Sequence, residues 1–368
     1  MKNKKFRGFL GIPIKVWGGG IYKRQTPRLP NGKRDINDVS HSNVRLSLPH
    51  LNNAWPEGDS ATRRQIFEVH VRHNFGMLYF LQNDAAVPKP FQDEARNWGL
   101  CKDEWVDNDH MPEQLYVREG RRMIGGYVFT QRDTQRKSGT EDRRAIYHPD
   151  AIAMGDYGPN CHGTDHEGPT IGGRHTGEFY QPAAPYQIPY GTLLPNEIDN
   201  LAVPVAVSSS HVGFCALRLE PIWMSLGQAV GEAIPLALQQ KVPLQAIAPE
   251  KIRERLHASG CATIYTSDVA EESDDFVAVQ WWGGQGGLVA IDRERLSSDK
   301  LEYGQRGKQV IGQYHAAFPG HAVDLRLPLS DALREQWDAL CVSLAIEPPT
   351  ASEVRTRGDY IRHAWSAR

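Results

Sequence analysis

The sequence predicts a mixed α/β (α+β) fold with a β-rich middle and a small α+β appendage at its C-terminal end. Three observations carry this expectation. Apolar residues recur at helical spacing in 60–83 and 221–240, YQIPY at 186–190 alternates with period 2, and Gly-, Pro- and Asn-rich stretches punctuate the chain. Residues 1–59 are turn-rich, with LPNGKRDIND at 29–38 forming turns throughout. A helix follows, capped by Ser60 or Thr62, with Ile66, Val69, His73, Met77 and Phe80 on one stripe, and it ends near Asn83-Asp84. Phe91 to Trp98 reads as a second short helix stopped by Gly99. From Leu115 the texture turns to β, with Gly125-Gly126 marking a bulge or a close backbone approach. The Gly-, Asp- and His-rich stretch from Asp150 to Thr176 reads as a long loop.

After the YQIPY strand come a polar turn, Ser208-Ser209-Ser210-His211, a short extended piece and a helix over 221–240 opened by Pro221. At about 1.5 Å per residue that helix is about 30 Å long. Gly227 and Gly231 notch one face of it, and Pro235 should kink it. Another helix starts at Ala248-Pro249-Glu250 and ends at Gly260. Beyond the acidic run near residue 270, FVAVQWW and GLVAIDR around GGQGG read as a hairpin, and HAVDLRLPLS as a strand. Helices close the chain at 331–344, capped by Ser330, and after Thr356. The divisions expected are 1–113, 114–268 and 269–368.

With 42 basic and 44 acidic residues the net charge is −2, which gives no purchase for nucleic acid or an anionic membrane surface. No stretch approaches the roughly 20 apolar residues of a membrane span. The five cysteines, Cys101, Cys161, Cys215, Cys261 and Cys341, show no short paired spacing, so reduced thiols are expected and the cytoplasm is the favoured compartment. The N-terminus opens with a basic cluster like a signal peptide. Its apolar run is broken by Pro13 and Lys15 and has no small-residue cleavage site, so it reads as internal sequence.

Four segments, in order, resemble landmarks of a bacterial family of FAD-dependent oxidoreductases. They are WGLCKDEWVDN (98–108), QLYVREGRRMIGGYVFTQRD (114–133), YQIPYGTLLP (186–195) and SSSHVGFCALRLEPIWMSLGQAVGEA (208–233). The resemblance implies the two-domain architecture of flavoproteins related to glutathione reductase. It makes the middle of the chain a substrate domain joined to the C-terminal part of an FAD-binding domain, with FAD as cofactor. In that architecture the helix opening at Glu220-Pro221-Ile222 points its N-terminus at the flavin, where the dipole favours negative charge on the reduced ring. Ser209, Ser210, Glu220, Pro221, Ile222 and Gly227 are thereby implied at the cofactor. The chain departs from the pattern at Gly120, where a residue such as Ala is expected, and at Pro235.

His211 is the candidate proton carrier and Arg218 a candidate partner for a carboxylate or for reduced flavin. Arg118 and Arg122, four apart on an expected strand, share a face suited to an anionic substrate group, or else pair with Glu119, Asp103 or Glu104. His175 is expected at the border of the substrate cleft. The run Cys161, His162, Asp165, His166, Glu167 and His175 has metal-capable residue types but no zinc spacing, and no metal is expected there. The expected activity is hydride transfer between flavin N5 and a small polar organic substrate. No strand–GxGxxG–helix unit occurs in the sequence: Gly18-Gly19-Gly20 and WWGGQGG both read as turns. A partner chain or upstream segment carrying the dinucleotide-binding unit is therefore expected. The alternative is a truncated, non-catalytic remnant or substrate-binding subunit that works beside such a partner. A third reading, a surface-binding module at 270–368, rests on Trp281-Trp282.

Overall fold

The computed structural model describes residues 6–7, 13–14, 30–33, 48, 50–135, 144–170, 176–181, 183–293 and 321–368. The chain divides into two compact units, one of Met1–Gly120 with Cys161–Phe179, the other of Arg121–Asn160 with Tyr180–Arg368. Helix makes up 45% of the structure and the strands are short, so the β-rich expectation is corrected. Among the described residues, strands pair only in two-stranded sheets, β1 (Phe6–Arg7) with β2 (Pro13–Ile14), β3 (Ala151–Gly155) with β6 (Tyr186–Pro189), and β4 (Asn160–Thr170) with β5 (Thr176–Tyr180).

In the first unit α1 spans Ser60–Asn83. Its cap is Asp59, one residue before the expected start, whose carboxylate accepts from Thr62 N at 2.8 Å. The buried stripe runs through Ile66, His70 and Leu81, leaving Phe80 40% exposed, so the expected stripe was rotated. Leu81 packs with Val87 and Ala95 of the turn and helix α2 (Lys89–Ala95). Gln82 fastens the two helices by donating to the carbonyls of Ala95 (3.1 Å) and Trp98 (3.0 Å). The Asp150–Thr176 stretch, expected as loop, contains β3 and β4. Polar Gly-rich sequence has low intrinsic strand preference, and pairing with a partner strand overrides it.

In the second unit β3 and β6 are antiparallel with Met154 opposite Gln187 and an irregularity between Ala151 and Ala153. All four β6 residues are buried, so their alternation is not an inside–outside pattern. The helices α4 (Glu220–Gln240) and α5 (Pro249–Ala258) pack against β3. Phe129, Ile152, Ile188, Leu193, Leu217, Leu226 and Ile252 form the centre of this core. Residues 114–133 form no regular strand. Gly125 and Phe129 make only isolated bridges, to Pro195 and Ser209. Gly125 marks close approach: a Cβ there would stand 2.6 Å from Leu194 O. The piece after the serine turn, expected as extended, is helix α3 (His211–Leu217), started by Ser210 Oγ accepting from Gly213 N at 3.1 Å. Helix α4 continues through Pro235 to Gln240.

A second core lies further along the same unit. The expected hairpin at 276–293 is instead α6 (Phe276–Gly284) and α7 (Gly287–Arg293). The run FVAVQWW is apolar on every side, and such a run does not distinguish a buried helix from a strand. Trp281 and Trp282 are buried, which removes the surface-module reading built on them. Trp282 packs edge-on against Trp337 of α8 (Asp331–Ser343), with centroids 5.4 Å apart, and against Tyr360 of α9 (Arg357–Ser366) at 5.9 Å. HAVDLRLPLS forms no strand, only a bridge from Pro328 to Thr356. Buried amides join the two cores: Gln187 Nε2 donates to Thr263 O (3.1 Å), while Gln280 accepts from Thr263 N (2.9 Å) and donates to Ile264 O (2.8 Å).

Candidate functional site

The site grows from the turn Ser208-Ser209-Ser210. Residues 123–130 hold it by four backbone-directed hydrogen bonds. Met123 N donates to Ala206 O (3.0 Å), Gly125 N to Ser208 Oγ (2.9 Å), Phe129 N to Ser208 O (3.0 Å), and Ser210 N to Phe129 O (2.8 Å). Two of the three hydroxyls are thus committed, Ser208 to Gly125 and Ser210 to the cap of α3. Ser209 Oγ is shut away from solvent and has no hydrogen-bond partner among the described residues. A buried hydroxyl in that state is a donor and acceptor in reserve.

Arg122 stands beside this turn. Its Nε donates to Ser209 O at 3.2 Å, and its guanidinium lies over the Phe214 ring, 5.4 Å from the centroid. Phe214 in turn faces Trp223 at 6.4 Å between ring centroids. The Trp223 indole N–H is also buried without a partner among the described residues. Arg122, Phe214 and Trp223 thus run in sequence from the turn to the first turn of α4.

The start of α4 has no capping side chain. Pro221 brings no N–H, and the amides of Ile222 and Trp223 turn back to Leu219 O at 3.0 and 3.2 Å. The helix therefore offers its dipole and the Glu220 amide rather than a fan of free donors. Glu220 and Pro221 are exposed, whereas Ile222 is buried in the core beneath them. Gly227, half-buried two turns in, has open space where a Cβ would stand.

Of the remaining sequence candidates, His211 is exposed as the first residue of α3. Arg218 closes α3 and is 3% exposed, its Nη2 donating to Asn160 O at 3.0 Å and its guanidinium 5.7 Å from the Tyr157 ring centroid. Arg118 lies in the first unit, 5.4 Å over its neighbour Tyr116, while Arg122 lies in the second. Because no strand joins them, the alternation argument for a shared face lapses. Asp103 and Glu104 pair with Lys33, at 3.0 and 2.5 Å. His175 and the side chains of His162, Asp165, His166 and Glu167 lie outside the described residues.

Sequence reasoning missed one buried polar network. Asp133, 2% exposed, accepts from Tyr127 Oη (2.5 Å), Thr130 N (2.6 Å) and Thr130 Oγ1 (3.0 Å), and its Oδ1 is 3.1 Å from His148 Nε2. Burial pushes the Asp133 carboxyl up, but the contacts with His148, Tyr127 and Thr130 outweigh it and hold the group below the usual carboxylate range. Burial, with Asp133 alongside, drives the Tyr127 phenol well above its ordinary value. The local signal was present: Thr130-x-x-Asp133 spells a capping box. Nothing local pointed to His148. Deeper in the unit, His257 is pushed down to about 3 by burial and by Arg253 and Arg368, so it stays neutral as it meets Thr263 Oγ1 at 2.9 Å.

A flavin fits this arrangement in part. The unspent Ser209 hydroxyl and Trp223 N–H, the α4 dipole and the space at Gly227 suit the polar edge of a flat heteroaromatic ring. The ADP half of FAD finds no counterpart, since no GxGxxG occurs in the sequence and no βαβ unit occurs among the described residues. Among the described residues no helix is long and apolar enough to cross a membrane.

Comparison with known proteins gives one result. No curated protein and no solved structure matches the chain. A family model described as FAD dependent oxidoreductase matches residues 11–256, which takes in the serine turn, α3, α4 and most of α5. With well over half of its length inside that match, the chain belongs to the FAD dependent oxidoreductase family.

Proposed function

We propose that this chain holds the flavin-ring side of an FAD-dependent oxidoreductase that acts on a small polar organic substrate. The ADP half of the cofactor is held by a dinucleotide-binding unit in another segment or another chain. The observation that carries this reading is the buried Ser209 hydroxyl without a partner, set between Arg122 and α3 inside the family match. When bound, FAD supplies hydride transfer at N5. The rest is work for the protein's own residues. Arg122 and the positive end of α4 place charge where an electron-rich ring edge is stabilised. Ser209 Oγ and Trp223 Nε1 supply donors already stripped of water, and because both are closed to solvent the atoms covering them must move aside to admit a ring edge. His211 at the mouth of α3 is the imidazole available to carry a proton to or from the substrate. Arg218 is a positioning residue, its buried guanidinium tying the end of α3 to Asn160.

The test is a visible absorbance spectrum of the purified chain mixed with FAD and desalted. Bands near ~450 nm retained by the protein are expected. If only the ring side is gripped, riboflavin is retained as well as FAD. Ser209→Ala and Arg122→Ala each weaken retention, the latter by about tenfold, in line with loss of a charged hydrogen-bonding group. A colourless chain that ignores every flavin overturns ring binding by this polypeptide and favours the substrate-binding subunit.

A further inference from the structure

Where the end of the family match meets the C-terminal core, a cleft opens beside the second core. Its walls come from the start of α5 (Glu250 and Glu254), from Trp281 and Gln285 at the end of α6, from Ile346 after α8 and from Arg368 after α9. Three features define its chemistry. One corner already holds a guanidinium. Arg368 Cζ lies 3.2 Å from the Trp365 ring centroid and 5.9 Å from that of Trp281, and its Nη1 is 3.3 Å from Glu254 Oε1. The two indoles meet edge to face at 5.5 Å, so this is an aromatic corner closed by a carboxylate. Such a corner binds a cation through ring quadrupole and ion pair together.

The second feature is an imbalance along the same cleft. Glu254 is met by two cations, Arg368 and Lys251, the latter at 3.0 Å. Glu250, one helical turn earlier, receives a hydrogen bond from the neutral Gln285 amide at 3.0 Å. It is exposed, so its carboxylate keeps acceptor capacity toward a ligand. Thirdly, the wall opposite is apolar at Leu344, Ala345 and Ile346. A head group at the carboxylates thus comes with a surface for a short hydrocarbon stem.

We propose that this cleft is a binding site for an organic cation, a guanidinium or ammonium head on a short apolar stem, for which Arg368 is the resident stand-in. Arg368 follows the last helix and competes with the ligand for Glu254 and the indole corner. The site is independent of any flavin chemistry.

The experiment titrates agmatine into the full chain and into Arg368→Ala, reading tryptophan fluorescence from the indole corner and heat by calorimetry. If Arg368 fills the corner nine-tenths of the time, its removal tightens agmatine binding about tenfold. Arg368→Ala combined with Glu254→Gln loses the gain, and n-butanol, which has the stem without the charge, gives no saturable signal. Far-UV circular dichroism checks that each variant is folded, and Arg368→Lys serves as the folded competitor-weakened form if alanine is not tolerated. Equal agmatine affinity in the wild type and the Arg368 variant, or undiminished binding after Glu254→Gln, overturns the proposal.

Discussion

Asp133→Ala is expected to destabilise the second unit by about 3–5 kcal/mol, the range for removing one member of a buried charged network. The carboxylate is the common acceptor for Tyr127 and for both the amide and hydroxyl of Thr130, and its Oδ1 lies 3.1 Å from His148 Nε2. Without it, these donors remain in a low-dielectric interior with nothing to receive them. Asp133→Asn keeps the volume but replaces one acceptor oxygen by a donor, so it recovers only part of the loss. The pH dependence gives a separate readout. Because the folded-state carboxyl is held below its unfolded value, its stabilisation is fully present above the unfolded value of about 3.9 and is lost as pH falls through the folded one. Denaturant melts between pH 6 and pH 2 in steps of about one unit should therefore show an acid arm in the wild type that is shallower in Asp133→Asn. Parallel arms would mean that the carboxyl titrates alike in both states. A loss below about 1 kcal/mol for the alanine variant would mean that the network is not a structural determinant.

The consequence for the site is geometric. Residues 127–133 lead directly from the segment that grips the serine turn, and Phe129 sits in both the core and the turn's hydrogen bonds. Loosening Asp133 therefore frees the strip that places Ser209 against Arg122. This separates two kinds of damage. Asp133 variants should lower stability and flavin retention together, whereas Ser209→Ala should lower retention alone.

What could be read in the sequence was mostly what depends on neighbours a few residues away. Ser330 and Thr356 were legible as caps because a cap bonds an amide two or three residues on. Helix α1 was legible in extent, yet its buried stripe was not, since Phe80 and Leu81 are equally apolar and only packing against α2 selects Leu81. The 276–293 segment failed for the opposite reason: with Trp281 and Trp282 both buried, the run has no polar face to set a period. The serine stretch was legible as a polar turn, while the separate roles of Ser208 and Ser209 were not, because they are decided by residues some eighty positions earlier. His148 was invisible beside Asp133 for the same reason of distance along the chain.

Gly213→Ala is the substitution expected to disturb the site most for the least change in volume. A Cβ at Gly213 would stand 2.9 Å from the Phe129 carbonyl carbon and 3.0 Å from Thr130 Cα, and closer still to the Phe129 oxygen. All three are backbone atoms, so no rotamer change relieves the clash, and α3 must move away from the strip that holds the turn. The Phe129 oxygen is also the acceptor for Ser210 N, so that bond stretches as the helix shifts. Overpacking of this kind costs about 1–3 kcal/mol, and the displaced turn should lose flavin retention by more than the stability change alone implies. Gly227→Ala is the matched control. It lies in α4 with open space around its Cβ position, so alanine should stabilise the flavin-free chain by about 0.5–1 kcal/mol through helix preference. If a flavin occupies that space, the same methyl group weakens its retention. Thermal melts and absorbance-monitored desalting of the two variants distinguish the cases. Gly213→Ala should be less stable and flavin-poor, and Gly227→Ala more stable and flavin-poor. A Gly227→Ala chain that is more stable and retains flavin unchanged would place the ring elsewhere on α4.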